Sequence, residues 1–477
     1  MMAQFSRYRN GGRTRGKLAS QAGRSGLLGS MRHSAAQQAD SIAWPFDASK
    51  HIVVARETLT YKNEGSEAVD KLVLCQPADL VPNRAFHEVV QGTTEDAPEL
   101  TDLVPYGGRT VPANVSCEEV TLETSLRPGK SMTLETYSAL VHQLKPKPRA
   151  ITQSDNQRVL LTAAQHTLSP YPIASESTEV KLLSRVVETY HGAKPFSKSG
   201  SSIKYGPYTD VAPFSGGALT AHFENNSPFL DALSLTREIE VSHWGNVYVE
   251  EWYTVKHMGA QHKGEWSRLR YQQNPMRNGA ATIKEMTAVL PRDASSLYFR
   301  DEIGNISTSA VRRLRDKTEV RLQPRFPLLG GWQVSFIFGY SMKLQSVVKT
   351  MGGVRALTLP FSTPLQNTLV HDLTVKVVLP EGCTDIQVDL PFAVEQSWEK
   401  KFSYLDTLGR PVLVLKMKNV TPDHNVPLAV SYRFSSLYQL QEPLLLVLAF
   451  FACFCLVIAY SRCEFSLSPM SSAKKLV

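Results

Sequence analysis

The 17 residues from Leu444 to Tyr460, LLLVLAFFACFCLVIAY, carry no charge and no strongly polar group. In hydrocarbon every backbone N–H and C=O must find a partner within the segment, so a run of this kind can fold in one way, as a helix. At 1.5 Å per residue it spans about 25 Å, short for an average bilayer core and close to the thinner membrane of the endoplasmic reticulum. Pro443 suits a first helical turn, and Tyr438 and Tyr460 stand where interfacial aromatics belong. Glu442 precedes the run while Arg462, Lys474 and Lys475 follow it. The positive-inside bias therefore assigns the tail to the cytosol.

From Trp44 onward the chain reads as strands punctuated by turns. In VTLETSLRPGKSMTLETYSALV (120–141), Val120, Leu122 and Leu126 alternate with polar residues, Arg127-Pro128-Gly129-Lys130 intervenes, and Met132 and Leu134 resume the alternation. Pro fixes φ near about −65° at the second turn position and Gly accepts a positive φ at the third, so the stretch reads as a hairpin closed by a type II turn. The same grammar recurs in REIEVSHWGNVYVEEWYTV (237–255), pivoting at Gly245-Asn246, and in LTVKVVLPEG (373–382). Helical periodicity is sparse ahead of the apolar run, and Thr178 to Glu188 fits neither period cleanly.

The expectation is a mainly β chain: two sandwich-like domains at 44–235 and 236–438, one transmembrane helix with its flanks at 439–463 (core 444–460), and a short tail at 464–477. Two stretches have the form a duplication would leave, YTDVAPFSGGALTAHFENNSP from Tyr208 and YLDTLGRPVLVLKMKNVTP from Tyr404. Each runs Tyr-x-Asp, a Gly-containing turn, an alternating strand, then Asn-x-Ser/Thr-Pro.

The formal charge of +8 suggests a polyanion partner until it is divided along the chain. Residues 1–39 hold seven basic residues and no acid, and the tail from Ser461 holds three basic residues and one acid, which leaves the body one net negative charge. A near-neutral body has no electrostatic footprint for nucleic acid. The segment 1–43, rich in Arg, Ser, Gly and Ala, has no apolar run of signal-peptide length and reads as a disordered basic leader.

Motifs of chemistry are missing in an informative way. HEVVQ (87–91) starts like a zinc-peptidase helix, but Gln91 stands where the second imidazole must be, so it reads as a surface stretch. There is no Gly-x-Ser-x-Gly elbow, Walker loop, Gly-x-Gly-x-x-Gly or Asp-x-Asp pair. No catalytic residue, metal ligand or cofactor is assigned. The twelve histidines are scattered, and the tryptophans Trp244, Trp252, Trp266, Trp332 and Trp398 could line a partner surface, with core packing the better reading for each. Cys75 and Cys117 fall in one domain and can bridge there while Cys383 stays free, although spacing alone does not decide it. Cys453 and Cys455 read as small apolar fillers of the anchor.

Four Asn-x-Ser/Thr sequons occur, at Asn114, Asn225, Asn305 and Asn419. Pro228 and Pro422 directly follow the hydroxyl residues of the Asn225 and Asn419 sequons, which disfavours modification. Asn305 follows Gly304 in the polar loop RDEIGNISTS and ranks first among the glycan acceptors, ahead of Asn114, Asn225 and Asn419.

Nine strings in order carry a family resemblance: ITQSDNQ (151–157), SPYPI (169–173), YGPYTDV (205–211), HFENNSPF (222–229), EVSHWGN (240–246), YFRDEIGN (298–305), QPRFPLLGGW (323–332), YLDTLGRPV (404–412) and LQEPLL (440–445). Through them the chain resembles the ribophorin I family, the alpha subunits of the oligosaccharyltransferase of the endoplasmic reticulum, from about Pro45 to Arg462. The resemblance implies a single-pass membrane protein whose two β-rich domains are lumenal. It implies a non-catalytic subunit of the complex that transfers a preassembled oligosaccharide from dolichyl diphosphate to Asn of nascent polypeptides. Its partners would be the catalytic and other subunits, nascent polypeptide substrates and the membrane. The family's glycosylated Asn falls in the motif matched by Asn305.

Two departures accompany the resemblance. Family members begin with a cleavable signal peptide, which is not recognisable here, and many carry a longer tail. The tail here ends KKLV, in which Lys474 and Lys475 resemble a dilysine retrieval signal. Without a signal peptide the residues also allow a tail-anchored protein whose β body faces the cytosol as a tether or adaptor, or a membrane-bound hydrolase of unrecognised chemistry.

Overall fold

The computed structural model describes residues 37–94, 97–107, 111–274, 279–403 and 405–463. Lys474, Lys475 and most of the basic leader lie outside the described residues. Residues 37–43, assigned above to that leader, are instead strand: β1 (Gln37–Ala48) opens a sheet and pairs on both sides.

The first half continues with β2 (Val53–Asn63), β3 (Val69–Pro77), β4 (Arg84–Gln91), β5 (Leu103–Tyr106), β6 (Val115–Leu126) and β7 (Ser131–Leu140). It ends with β8 (Leu144–Pro146), β9 (Ala150–Ile151), β10 (Arg158–Ala164), β11 (Ile173–Leu182), β12 (Val187–His191), β13 (Phe196–Ser199), β14 (Ser202–Val211) and β15 (Ala218–Glu224). The second half opens with β16 (Leu230–Ser242), β17 (Asn246–His257), β18 (Gln261–His262), β19 (Met286–Pro291), β20 (Ser295–Asp301), β21 (Ala310–Arg313), β22 (Lys317–Leu322) and β23 (Gln333–Lys343). Then come β24 (Val348–Met351), β25 (Val354–Pro360), β26 (Leu369–Val378), β27 (Cys383–Asp389), β28 (Glu395–Lys401), β29 (Arg410–Val420) and β30 (Pro427–Phe434). Two short helices, α1 (Arg268–Gln273) and α2 (Leu344–Val347), interrupt the second half, and α3 (Gln441–Arg462) follows it.

The halves repeat one another. In the first, a seven-stranded sheet runs β13-β14-β11-β1-β2-β7-β4, a four-stranded sheet β12-β15-β10-β8 and a three-stranded sheet β3-β6-β5. In the second, the same three sheets run β28-β29-β26-β16-β17-β23-β20, β27-β30-β25-β24 and β19-β22-β21. Each large sheet has one parallel pair, β1 with β11 and β16 with β26. Only β9 and β18 have no counterpart among the described strands, and they pair with each other, Ala150 against Gln261 and Ile151 against His262.

Alternation explains where each core sits. Along β17 every second residue from Val247 to His257 is buried, so Val247, Val249, Glu251, Tyr253 and Val255 face inward while Tyr248 and Glu250 face out. Trp44, Phe46, Leu59, Val159 and Phe223 centre the first core, and Tyr253, Phe336, Phe338, Leu373 and Leu415 the second. Each such side chain stabilises its half by about 1.5–3 kcal/mol through burial.

The 237–255 hairpin forms, Ser242 facing Asn246 across a three-residue loop. The 120–141 stretch does not form a hairpin. Its turn is present, with Lys130 N donating to Arg127 O at 3.1 Å, but β6 joins the three-stranded sheet and β7 the seven-stranded one. Asn63 holds this corner. Its backbone bonds Gly129 and Lys130 (2.8 and 3.1 Å), and its buried amide donates to Leu126 O at 2.9 Å. HEVVQ lies in β4, with His87 Nδ1 2.9 Å from Ser138 Oγ, and the ambiguous 178–188 stretch is the end of β11 and the start of β12. α3 runs 22 residues, about 33 Å, outlasting the apolar core by including Gln441 to Pro443 and reaching Arg462. It is long and apolar enough to cross a membrane, and no residue of it is buried against the body.

Candidate functional site

The sequons sort by exposure and by the use made of each amide. Asn305 is exposed at the end of a tight turn, where Asp301 Oδ1 accepts the backbone N–H of Ile303 and Gly304, both at 3.0 Å. Arg325 clamps that turn from outside, donating to Asp301 Oδ2 (2.5 Å), Gly304 O (3.1 Å) and Asn305 O (3.2 Å). These bonds hold the Asp301 carboxyl below its ordinary range. They fix the Asn305 backbone and leave its side chain free of them. Asn114 is exposed in the turn before β6, and Asn419 is half-buried in β29 at φ 53°. Asn225 is fully buried: its Nδ2 faces Ala48 O and Ser49 O at 3.4 Å, and its Oδ1 accepts Ser227 N at 2.9 Å. An amide so used has no room for a glycan.

Asn225 belongs instead to the junction between the halves, where three of the nine strings meet. Gln157 of ITQSDNQ donates from Nε2 to Asn225 O (2.9 Å) and accepts at Oε1 from Ala260 N (2.8 Å), and Gln157 N donates to Asn226 Oδ1 (2.9 Å). Gln153 brackets Ser267, accepting from its N at 2.9 Å and donating to its O at 3.0 Å. From QPRFPLLGGW, Gly330 O accepts His262 N at 2.8 Å, and a Cβ on Gly330 would stand 1.7 Å from Ala260 O. Only glycine allows that approach. Beside these strings lies an open cleft of about 460 Å³ lined by Asn156, Asn226 and Pro228 of the first half and Ala280, Thr282, Lys284 and Glu285 of the second.

Histidines that look scattered in sequence gather at the same junction. Buried Asp231 lies 3.4 Å from His51 Nε2 of the first half and 2.8 Å from His371 Nε2 of the second, and His142 sits against His371 with ring centroids 5.3 Å apart. Burial pushes His51 down to about 4 against the pull of Asp231, and lowers His142 and His257 as well. His257 accepts Gly259 N at Nδ1 and so donates from Nε2 to Ala281 O. Further along, Tyr137 Oη donates to Asp423 Oδ1 at 2.9 Å, Phe86 meets His424 edge to face, and Ile52, Ala139, Val141 and Leu369 form a small apolar seam.

Each half buries polar groups of its own. The first holds Glu176, which accepts from Thr167 N at 2.6 Å and lies 2.8 Å from His166 Nδ1, and the Cys75–Cys117 disulfide across β3 and β6. Cys383 is a free thiol, pushed up to about 12 by burial. The second holds Arg237, whose Nη1 donates to Glu251 Oε1 (2.7 Å) and Ser362 O (2.6 Å). Tyr253 Oη donates to the other Glu251 oxygen at 2.7 Å. Among the described residues no group of three or more His, Cys, Asp or Glu is placed to hold a metal ion. Trp244 and Trp398 are more than half exposed, against the core packing expected of them, while Trp252, Trp266 and Trp332 are half-buried.

These features define a class of protein: among the described residues, a duplicated β body on one apolar helix, with many of its buried polar groups bonded between strands and between halves. The sequence model of the family described as Ribophorin I matches residues 39–461, and the chain belongs to that family. It is 41% identical over 429 residues to dolichyl-diphosphooligosaccharide–protein glycosyltransferase subunit 1A of Arabidopsis thaliana, covering 89% of this chain and 70% of that one. It is 34% identical over 456 residues to subunit 1 of the same enzyme from Caenorhabditis elegans, covering 93% and 75%. Among solved structures an M1 zinc metallopeptidase from Deinococcus radiodurans resembles it with a TM-score of 0.23 and 11% identity over 43% of this chain and 48% of that one, too slight a likeness to carry an argument.

Proposed function

We propose that the chain is a non-catalytic subunit of an oligosaccharyltransferase of the endoplasmic reticulum, anchored by α3 with the β body in the lumen and the tail in the cytosol. It works beside a catalytic subunit that moves a preassembled oligosaccharide from dolichyl diphosphate to Asn of nascent polypeptides, and helps present or retain those polypeptides. The observation that carries this reading is where the family strings lie. ITQSDNQ, HFENNSPF and QPRFPLLGGW meet at the junction, and Gln157, Asn225 and Gly330 there serve backbone groups rather than facing a common point in solvent. That is how a rigid scaffold uses polar residues; a reaction centre aims them at a substrate. The Cys75–Cys117 disulfide supports a lumenal body, since such bonds persist in oxidising compartments.

The test is purification of the full chain in mild detergent. The reading expects the other oligosaccharyltransferase subunits to come down with it, the isolated chain to transfer no glycan, and depletion in cells to lower glycosylation of a subset of acceptors. Robust transfer by the purified chain alone would overturn the non-catalytic assignment, and absence of the other subunits would overturn the assembly.

A further inference from the structure

The base of the second half, where the chain enters α3, is tied to the helix by polar bonds and rimmed by large apolar side chains. Glu381 organises it: its Oε1 accepts Thr407 N and Gly409 N, both at 2.9 Å, and its Oε2 accepts Gln441 Nε2 at 2.9 Å. Gln441 also reaches Thr407 Oγ1, and Arg410 Nη2 donates to Glu442 Oε1 at 3.1 Å. The loop between β28 and β29 is therefore fastened to the first turn of the anchor. Gln439 Nε2 donates to His243 O at 3.1 Å, which fastens the β16–β17 turn there too.

The apolar side chains carried by these fastened segments are bare. Phe402 and Leu408 of the loop are 65% and 58% exposed, Trp244 of the β16–β17 turn 61%, and Leu437 in the approach to α3 77%; Leu405 and Leu440 are exposed as well. Scattered exposed apolar residues need no explanation, but several on segments fastened to one point do. The two cations of this base are already paired, Lys401 with Glu238 and Glu240, and Arg410 with Glu240, Asp406 and Glu442. Neither is left over to draw an anionic partner.

We propose that these side chains form a lipid-docking collar: Trp244, Phe402, Leu405 and Leu408 insert into the boundary between headgroups and acyl chains and seat the second half flat on the bilayer. The occupant follows from continuity, because the segments that carry these side chains are bonded to the chain where an apolar helix leaves the body, and Trp, Phe and Leu are the residues that partition to that boundary. Insertion through apolar contact makes the docking independent of anionic lipid. The inference rests on α3 crossing a bilayer, and the experiment separates the two.

The full chain is reconstituted into phosphatidylcholine vesicles containing a phosphatidylcholine analogue with a diazirine near the headgroup end of its acyl chain, then irradiated and mapped by mass spectrometry. The collar predicts adducts on the peptides bearing Trp244 and residues 402–408, several-fold above those on the exposed Leu183 and Val186 of the first half, and unchanged by added phosphatidylserine. The triple variant Phe402→Ser, Leu405→Ser, Leu408→Ser should lose most labelling of its loop while the anchor labels as before. Adducts on α3 with none on the loop or Trp244 would overturn the collar alone. Loop labelling that is lost when the other subunits are present would assign these side chains to a protein partner and also overturn the collar. An unlabelled α3 would contradict the membrane reading itself.

Discussion

The two halves of the body share a strand order and differ in what they do with it. The first staples its three-stranded sheet with Cys75–Cys117, whereas the matching β19–β22 pair of the second faces Ala288 to Val320 in an apolar core. The second buries a full ion pair, Arg237–Glu251, between the strands that correspond to β1 and β2, where the first has no such pair among its described residues. Among the described residues the only strands outside the repeat, β9 and β18, pair with each other across the two halves. Duplication thus supplies the architecture, and the departures from it supply the junction, the staple and the attachment to the anchor.

The largest effect that would sharpen this contrast comes from Arg237→Met. It leaves Glu251 buried without its cation and should cost about 3–5 kcal/mol, while Arg237→Met with Glu251→Leu should recover most of that. Hydrogen exchange read peptide by peptide should show protection falling across β16 and β17 and holding in β1 and β2. Equal loss in both halves would mean that they unfold as one unit, and the contrast would fail.

Removing the staple with Cys75→Ala and Cys117→Ala should cost about 2–4 kcal/mol, with protection lost in β3 and β6 and kept in β19 and β22.

Acid should act at the junction. Burial holds His51 and His424 at about 4 in the folded state, below the ordinary value of 6.5. At these two sites the unfolded chain binds more protons between those values, so their contribution to stability is complete above about pH 6.5 and falls as pH drops toward 4. Thermal unfolding followed across that window should show a declining Tm, with a shallower slope in His51→Gln. A slope in His51→Gln equal to that of the parent would show that His51 is not held neutral. The smallest effect is that of Tyr137→Phe, which removes the bond to Asp423 and should cost about 1 kcal/mol. Its signature is faster exchange at the seam, with both cores unchanged.

Much of the fold was legible because alternation with a period of two marks which face of a strand is buried. The same pattern says nothing about which strand lies alongside. The 120–141 stretch therefore looks like a hairpin, although its turn carries the chain from one sheet into another around Asn63. The duplication was visible as a pair of similar strings, yet the strings align β15 with β29, whereas the sheets match β15 with β30 and β14 with β29. Turn-strand-turn units resemble one another too closely for one string to set the register. Asn225 read as a sequon because its burial depends on Ala48 and Ser49, far away in the chain. The cluster of His51, His142 and His371 around Asp231 carried no local signal for the same reason. The Asn305 turn was legible in part: Gly304 marked it, but Arg325, its clamp, lies in another string.

The central claim, a lumenal β body on a single anchor, is tested most directly at Asn305. The full chain expressed in cells is digested with an endoglycosidase and its mobility compared with that of Asn305→Gln. The account predicts a shift on digestion that the variant reduces by one glycan, with the body protected from protease in sealed vesicles. No shift in either chain, with the body digested by protease added outside intact vesicles, would contradict it.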